Sequence, residues 1–63
     1  MMKTSVIFYL NGQKVHAANV STPAGFGRAL QKAKAAGDCR ASELTPRDEK
    51  TGREIWAYDF AQK

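Results

Sequence analysis

The stretch Thr22 to Gly37, TPAGFGRALQKAKAAG, is the only part of the chain whose apolar residues recur at helical spacing, and it dictates where a core must form. Phe26, Ala29, Leu30 and Ala33 stand at i, i+3, i+4 and i+7, which is one stripe of an α-helix about 100° wide. Such a stripe has to be buried against another element. Thr22 offers a hydroxyl to a free backbone N–H and Pro23 supplies a fixed φ, the pair expected at a helix start. Gly37 is the expected stop. Arg28, Gln31 and Lys32 fall with Ala35 on the opposite face, so the helix is expected to carry an apolar stripe and a basic one.

Ahead of the helix, the chain from Lys3 to Leu10 is rich in β-branched and aromatic residues, and Asn11-Gly12 follows at once. Asn-Gly between two such runs is a strong hairpin signal, because a type I′ turn needs positive φ at both central residues. The second strand is then expected from Gln13 to about Val20. An unbroken ladder from this turn pairs Leu10 with Gln13, Tyr9 with Lys14, Phe8 with Val15, Ile7 with His16 and Val6 with Ala17. Val6, Phe8, Leu10, Val15 and Ala17 would receive the helix, leaving Ile7, Tyr9, Lys14 and His16 on the other face.

After the helix, a third strand is expected from Arg40 to Arg47. Pro46 lacks a donor, which confines this strand to an edge or to pairing on one side. Asp48 to Arg53 is turn chemistry, with Gly52 suited to the left-handed position of a three-residue loop, Lys50 to Gly52. A second hairpin follows, in which Glu49 faces Arg53, Leu44 faces Tyr58 and Pro46 faces Trp56. Leu44, Trp56, Tyr58 and Phe60 would then be core, with Ile55 and Ala57 on the other side. The expected architecture is α+β, a two-layer ββαββ domain over residues 1–63, with a four-stranded antiparallel or mixed sheet and one helix across one face. This element order resembles the β-grasp arrangement of ubiquitin-like folds and of the small immunoglobulin-binding domains of bacterial surface proteins. The resemblance implies a topology and carries no function. Met1-Met2 and Gln62-Lys63 are expected to fray.

A chain of 63 residues buries only about 60% of its unfolded surface, so its stability margin is thin and homodimerisation is one expected remedy. Its 43% hydrophobic content and six aromatics suffice for a small core and argue against disorder. Cys39 is the only cysteine, which excludes an internal disulfide and points to a reducing compartment. The apolar run Val6 to Leu10 is too short for a signal peptide or a membrane span, so the expected address is cytoplasmic, without a membrane partner.

The net charge of +4 is unevenly placed. Residues 1–40 carry six basic side chains against one acid, whereas residues 41–63 carry four against five. An acidic partner is expected, nucleic acid or an acidic protein surface. Catalysis is not expected: His16 and Cys39 lie in different elements with no local motif, and two thin layers hardly provide a pocket. One histidine and one cysteine do not make a closed zinc site, and no cofactor is expected. Gly25-Phe26-Gly27 lacks the pattern of a phosphate loop and is expected to let the first helical turn pass close to the sheet. Asp48, Glu49 and Glu54 fall around a hairpin tip and read as solubilising charge.

Two surfaces are left as candidate sites. One is the basic helix face, Arg28 and Lys32 with Lys34 and Arg40, suited to phosphates. The other is the open sheet face, Ile7, Tyr9, Lys14, His16 and Ile55, where aromatic and basic groups could stack bases or dock a partner. The expected function is a small non-enzymatic binding or regulatory module for nucleic acid. The alternative is a protein-binding adaptor or inhibitor, of the kind carried by phages and plasmids, that acts through the open sheet face or an edge strand.

Overall fold

Strands β1, Thr4–Leu10, and β2, Gln13–Val20, form the expected hairpin in the computed structural model, which describes residues 3–61. The residues expected to fray, Met1-Met2 and Gln62-Lys63, lie outside the described residues. Asn11 and Gly12 both take positive φ, 53° and 82°, as the type I′ turn requires. The ladder begins in the expected register, Leu10 with Gln13 and Tyr9 with Lys14, and then slips by one. Phe8 pairs with His16, Ile7 with Ala17, Val6 with Ala18 and Thr4 with Val20. Val15 is the extra residue of a β-bulge. The bulge corrects the expected faces. His16 and Ala18 turn to the side that Val6 and Phe8 occupy, Ala17 moves to the opposite side, and Val15 still packs against the core.

Helix α1, Pro23–Gly37, starts and packs as its sequence dictates. The Thr22 hydroxyl accepts from the Gly25 N–H at 3.0 Å. Phe26, Ala29 and Ala33 are buried, and Leu30 is half-buried against the same core. The stop lies one residue later than expected. Gly37 is still helical, and Asp38 takes the left-handed cap at φ 50°, ψ 52°. Asp38 can hold this conformation because its short polar side chain tolerates it. The helix lies chiefly against β2.

The second half of the chain departs from the expected hairpin. Residues 41–43 form a single 3₁₀ turn, and β3, Leu44–Asp48, pairs antiparallel with β1, giving a three-stranded sheet of order β2-β1-β3. Pro46 sits on an edge strand, and its carbonyl accepts from the Ile55 N–H at 3.0 Å on the side away from β1. The missing N–H of Pro46 therefore points outward too, where it weakens further pairing. The returning chain makes one bridge, Arg47 with Glu54, and then leaves the sheet. The loop holds four residues, Glu49 to Gly52, since the Asp48 N–H donates to the Arg53 carbonyl at 2.8 Å. Gly52 takes the expected positive φ, 77°.

In place of a fourth strand stands a short helix, α2, Ala57–Ala61. Its start is fixed by Asp59, whose carboxylate accepts from the Trp56 N–H at 2.8 Å while its own N–H donates to the Trp56 carbonyl at 2.9 Å. Trp56 and Phe60, four residues apart, share one face and pack on the core; Tyr58, expected inside, is 65% exposed. Ile55 and Ala57, expected on the open side, also pack against the core. The four-stranded ββαββ order, and with it the β-grasp arrangement, is therefore replaced by an α+β fold with three antiparallel strands. Phe26 sits at the centre, its ring centroid 5.8 Å from that of Phe8, 6.0 Å from Trp56 and 5.9 Å from Phe60. No helix of the described residues is long and apolar enough to cross a membrane.

Candidate nucleic-acid interface

The position of α1 over β2 leaves a cleft along the outer edge of that strand. It measures about 320 Å³ and is walled by residues 16–19 of β2 and by Gly25, Arg28 and Lys32 of α1. Arg28 and Lys32, at i and i+4, stand on one flank of the helix because 3.6 residues make a turn. His16 joins them only through the bulge at Val15. An unbroken ladder would have sent it to the far side of the sheet. Its ring leans on Phe8, centroids 6.0 Å apart at 41°, so the core sets the position of the imidazole. No acidic side chain is among the described residues that wall the cleft. Two cationic side chains and an imidazole, all hydrogen-bond donors, thus face one groove.

Gly25 explains the close fit at the start of the helix. A Cβ built there would lie 3.1 Å from the Thr22 hydroxyl and 3.9 Å from the Arg28 guanidinium. Gly27, expected to serve the same purpose, has nothing within 4 Å of such a Cβ. Only the first glycine permits a close approach.

The uncovered face of the sheet is built in rows. Lys14, Tyr9 and Thr45 stand side by side across β2, β1 and β3, and Ala17, Ile7 and Arg47 form the next row. Asn19 and Ser5 follow, joined by a 3.0 Å hydrogen bond from the Ser5 hydroxyl to the Asn19 side-chain oxygen. Ile7, Tyr9 and Lys14 therefore occupy the face expected of them, whereas His16 and Ile55 do not. Arg47 and Thr45, which no local sequence pattern marks, complete it. The only available signal was the alternation of β3 once paired with β1, and sequence alone did not show that pairing.

Lys34 and Arg40 lie outside the cleft. Lys34 is half-buried in the last turn of α1, where its carbonyl accepts from the Cys39 N–H at 3.2 Å. Arg40 is exposed ahead of the 3₁₀ turn, and its N–H donates to the Glu43 carboxylate at 3.4 Å. The acids of the hairpin are tied to local structure: Asp48 accepts from the Lys50 N–H at 2.8 Å, and Glu54 from the Trp56 indole N–H at 2.7 Å. Among the described residues, no three side chains of His, Cys, Asp or Glu gather as a metal site would require. No protein-family model matches the chain, and no curated protein or solved structure is significantly similar to it.

Proposed function

We propose that the protein is a small non-enzymatic binding module that holds nucleic acid by its phosphates in the β2–α1 cleft, in the reducing environment that a lone cysteine suits. The observation that carries this reading is the convergence of His16, Arg28 and Lys32 on one groove with no acid among its described walls. Arg28 and Lys32, so placed, bind a polyanion mainly by releasing its condensed counterions, which needs no base-specific contact, and His16 adds a hydrogen-bond donor beside them. The test is a salt titration with labelled oligonucleotides. Binding is expected at about 50 mM salt, weakening as salt rises, and the logarithmic slope should fall by about one for each phosphate-contacting cation removed. Arg28→Glu with Lys32→Glu should abolish it. Absence of binding at that salt, or a double variant that binds as the native chain does, overturns the reading.

A second reading is favoured by one observation. The outer side of β3 is covered by residues 53–55, while β2 is the remaining edge of the sheet and has no strand beside it among the described residues. An acidic extended segment of a partner protein, or a second copy of this chain, could add to β2 as a strand.

A further inference from the structure

We propose that the open face of the sheet seats an unpaired base on the ring of Tyr9, so that the ligand is single-stranded nucleic acid; the proposal rests on the reading of the protein as a nucleic-acid binder. Tyr9 is the aromatic residue of that face and lies between two cations. Lys14 is its direct neighbour on β2, and Arg47 stands diagonally across on β3, one row away. Arg47 is held in place, because its Nη1 donates to the Gly52 carbonyl at 2.9 Å. Tyr9, Gly12, Thr45 and Arg47 line a shallow recess of about 370 Å³ without an acid among them. Gly12 has no side chain, and nothing stands within 4 Å of where a Cβ would be, so the turn leaves its end of the recess open. The acid of this face, Glu49, lies at its far end beside Ser5, whose carbonyl accepts from the Glu49 N–H at 2.9 Å.

The chemistry selects an unpaired base. In a duplex both faces of a base are stacked on neighbours, whereas a splayed base can lay one face on an aromatic ring while cations beside it take the flanking phosphates. Geometry argues the same way. The recess and the β2–α1 cleft lie on opposite sides of the sheet, with the β2 edge between them. The shorter extents of the domain are 22 and 16 Å. A flexible strand can round that edge and use both surfaces; a duplex with a persistence length of about 50 nm cannot.

The experiment compares oligo(dT) and oligo(U) with a duplex of equal length, at one low salt concentration, against native protein, Tyr9→Val, Tyr9→Phe and Arg28→Glu/Lys32→Glu. Single strands are expected to bind about tenfold or more tightly than the duplex, and Tyr9→Val to remove that preference while Tyr9→Phe keeps it. Oligo(U) binding more tightly than oligo(dT) would point to a 2′-hydroxyl contact within the same site, and equal binding to indifference towards the sugar; either is compatible with stacking. Ring protons of Tyr9 should shift upfield on adding oligo(dT) to the native protein, a readout that does not depend on any variant folding. Equal binding of strand and duplex with Tyr9→Val silent overturns this proposal and leaves the cleft reading standing. Loss of the preference in Tyr9→Phe as in Tyr9→Val also overturns it. A silent Arg28→Glu/Lys32→Glu double variant beside a defective Tyr9→Val removes the cleft and keeps the stacking site. No binding of any nucleic acid removes both.

Discussion

His16 stands directly opposite Phe8 across the β1–β2 ladder, a place that strict counting from the Asn11-Gly12 turn assigns to Val15. The bulge therefore decides which side of the sheet receives the imidazole. Deleting Val15 should leave an unbroken ladder in which residues 16–20 keep their faces, so the chain should fold with His16 still on Phe8. Loss of the half-buried valine should cost about 1–3 kcal/mol. Deleting Ala17 instead also absorbs the bulge and leaves Ala18, Asn19 and Val20 on their partners, but it pairs Val15 with Phe8 and His16 with Ile7, so the imidazole should pass to the open face of the sheet. Denaturant unfolding of the two deletions, together with nuclear Overhauser contacts between His16 and Phe8, checks both outcomes. The His16–Phe8 contacts should persist in the Val15 deletion and vanish in the Ala17 deletion; their persistence in both would contradict this account of the bulge.

What could be read from the chain was whatever depended on one element at a time. The stripe Phe26, Ala29, Leu30, Ala33, the Thr22 cap and the Asn11-Gly12 turn are local patterns, and each is found where its chemistry requires. The errors arose where two periods competed. Val15 and Val20 are both apolar but five apart, odd and even in a strand of period two, and only a bulge lets both reach one core. Trp56, Tyr58 and Phe60 alternate as a strand would, but Trp56 and Phe60 also satisfy i, i+4, and Asp59 three residues after Trp56 is a helix-start signal. Of the candidate cations, Arg28 and Lys32 were legible because they share a helix face. Arg47 was not, since its place beside Tyr9 depends on a pairing between strands about forty residues apart.

The two glycines near the start of the helix should respond differently, Gly27→Ala with a gain in stability and Gly25→Ala with none. Gly27 is exposed, has ordinary helical backbone and has open space where a Cβ would stand, so Gly27→Ala should stabilise the protein by about 0.5–1 kcal/mol. Gly25→Ala puts a methyl 3.1 Å from the hydroxyl that caps the helix. Displacing that cap should cost about 1 kcal/mol, offsetting the gain in helix propensity. Thermal melts of the two single variants measure the contrast, and a stabilising Gly25→Ala would show that the contact yields freely.

Helix α2 is held by its aromatic contact more than by its own length, because five residues are too few to be helical alone in water. Phe60→Ala should release it, at a cost of about 2 kcal/mol, near half the value for a fully buried phenylalanine. Phe26→Ala removes the ring that Phe8, Trp56 and Phe60 all touch and should cost about 3–5 kcal/mol, much of the stability of a domain this small. Amide exchange separates the two: Phe60→Ala should accelerate exchange in residues 57–61 and spare β1, whereas Phe26→Ala should accelerate it throughout.

Amide exchange also distinguishes the two readings of the β2 edge. If phosphates bind in the cleft, the contacts are made by the side chains of Arg28, Lys32 and His16, and a nucleic-acid strand passing the β2 edge offers its outward backbone N–H groups no regular ladder of acceptors. A partner strand would hydrogen-bond those same groups and slow their exchange strongly. Exchange measured along residues 13–20, with and without saturating oligo(dT) at low salt, is expected to show little added protection in β2. Alternate-residue protection in β2 that appears with protein concentration alone, and persists after nuclease treatment, would instead identify strand addition by a second copy. The expected result follows from the bulge at Val15, which breaks the regular spacing an added strand would need and so protects this edge against pairing.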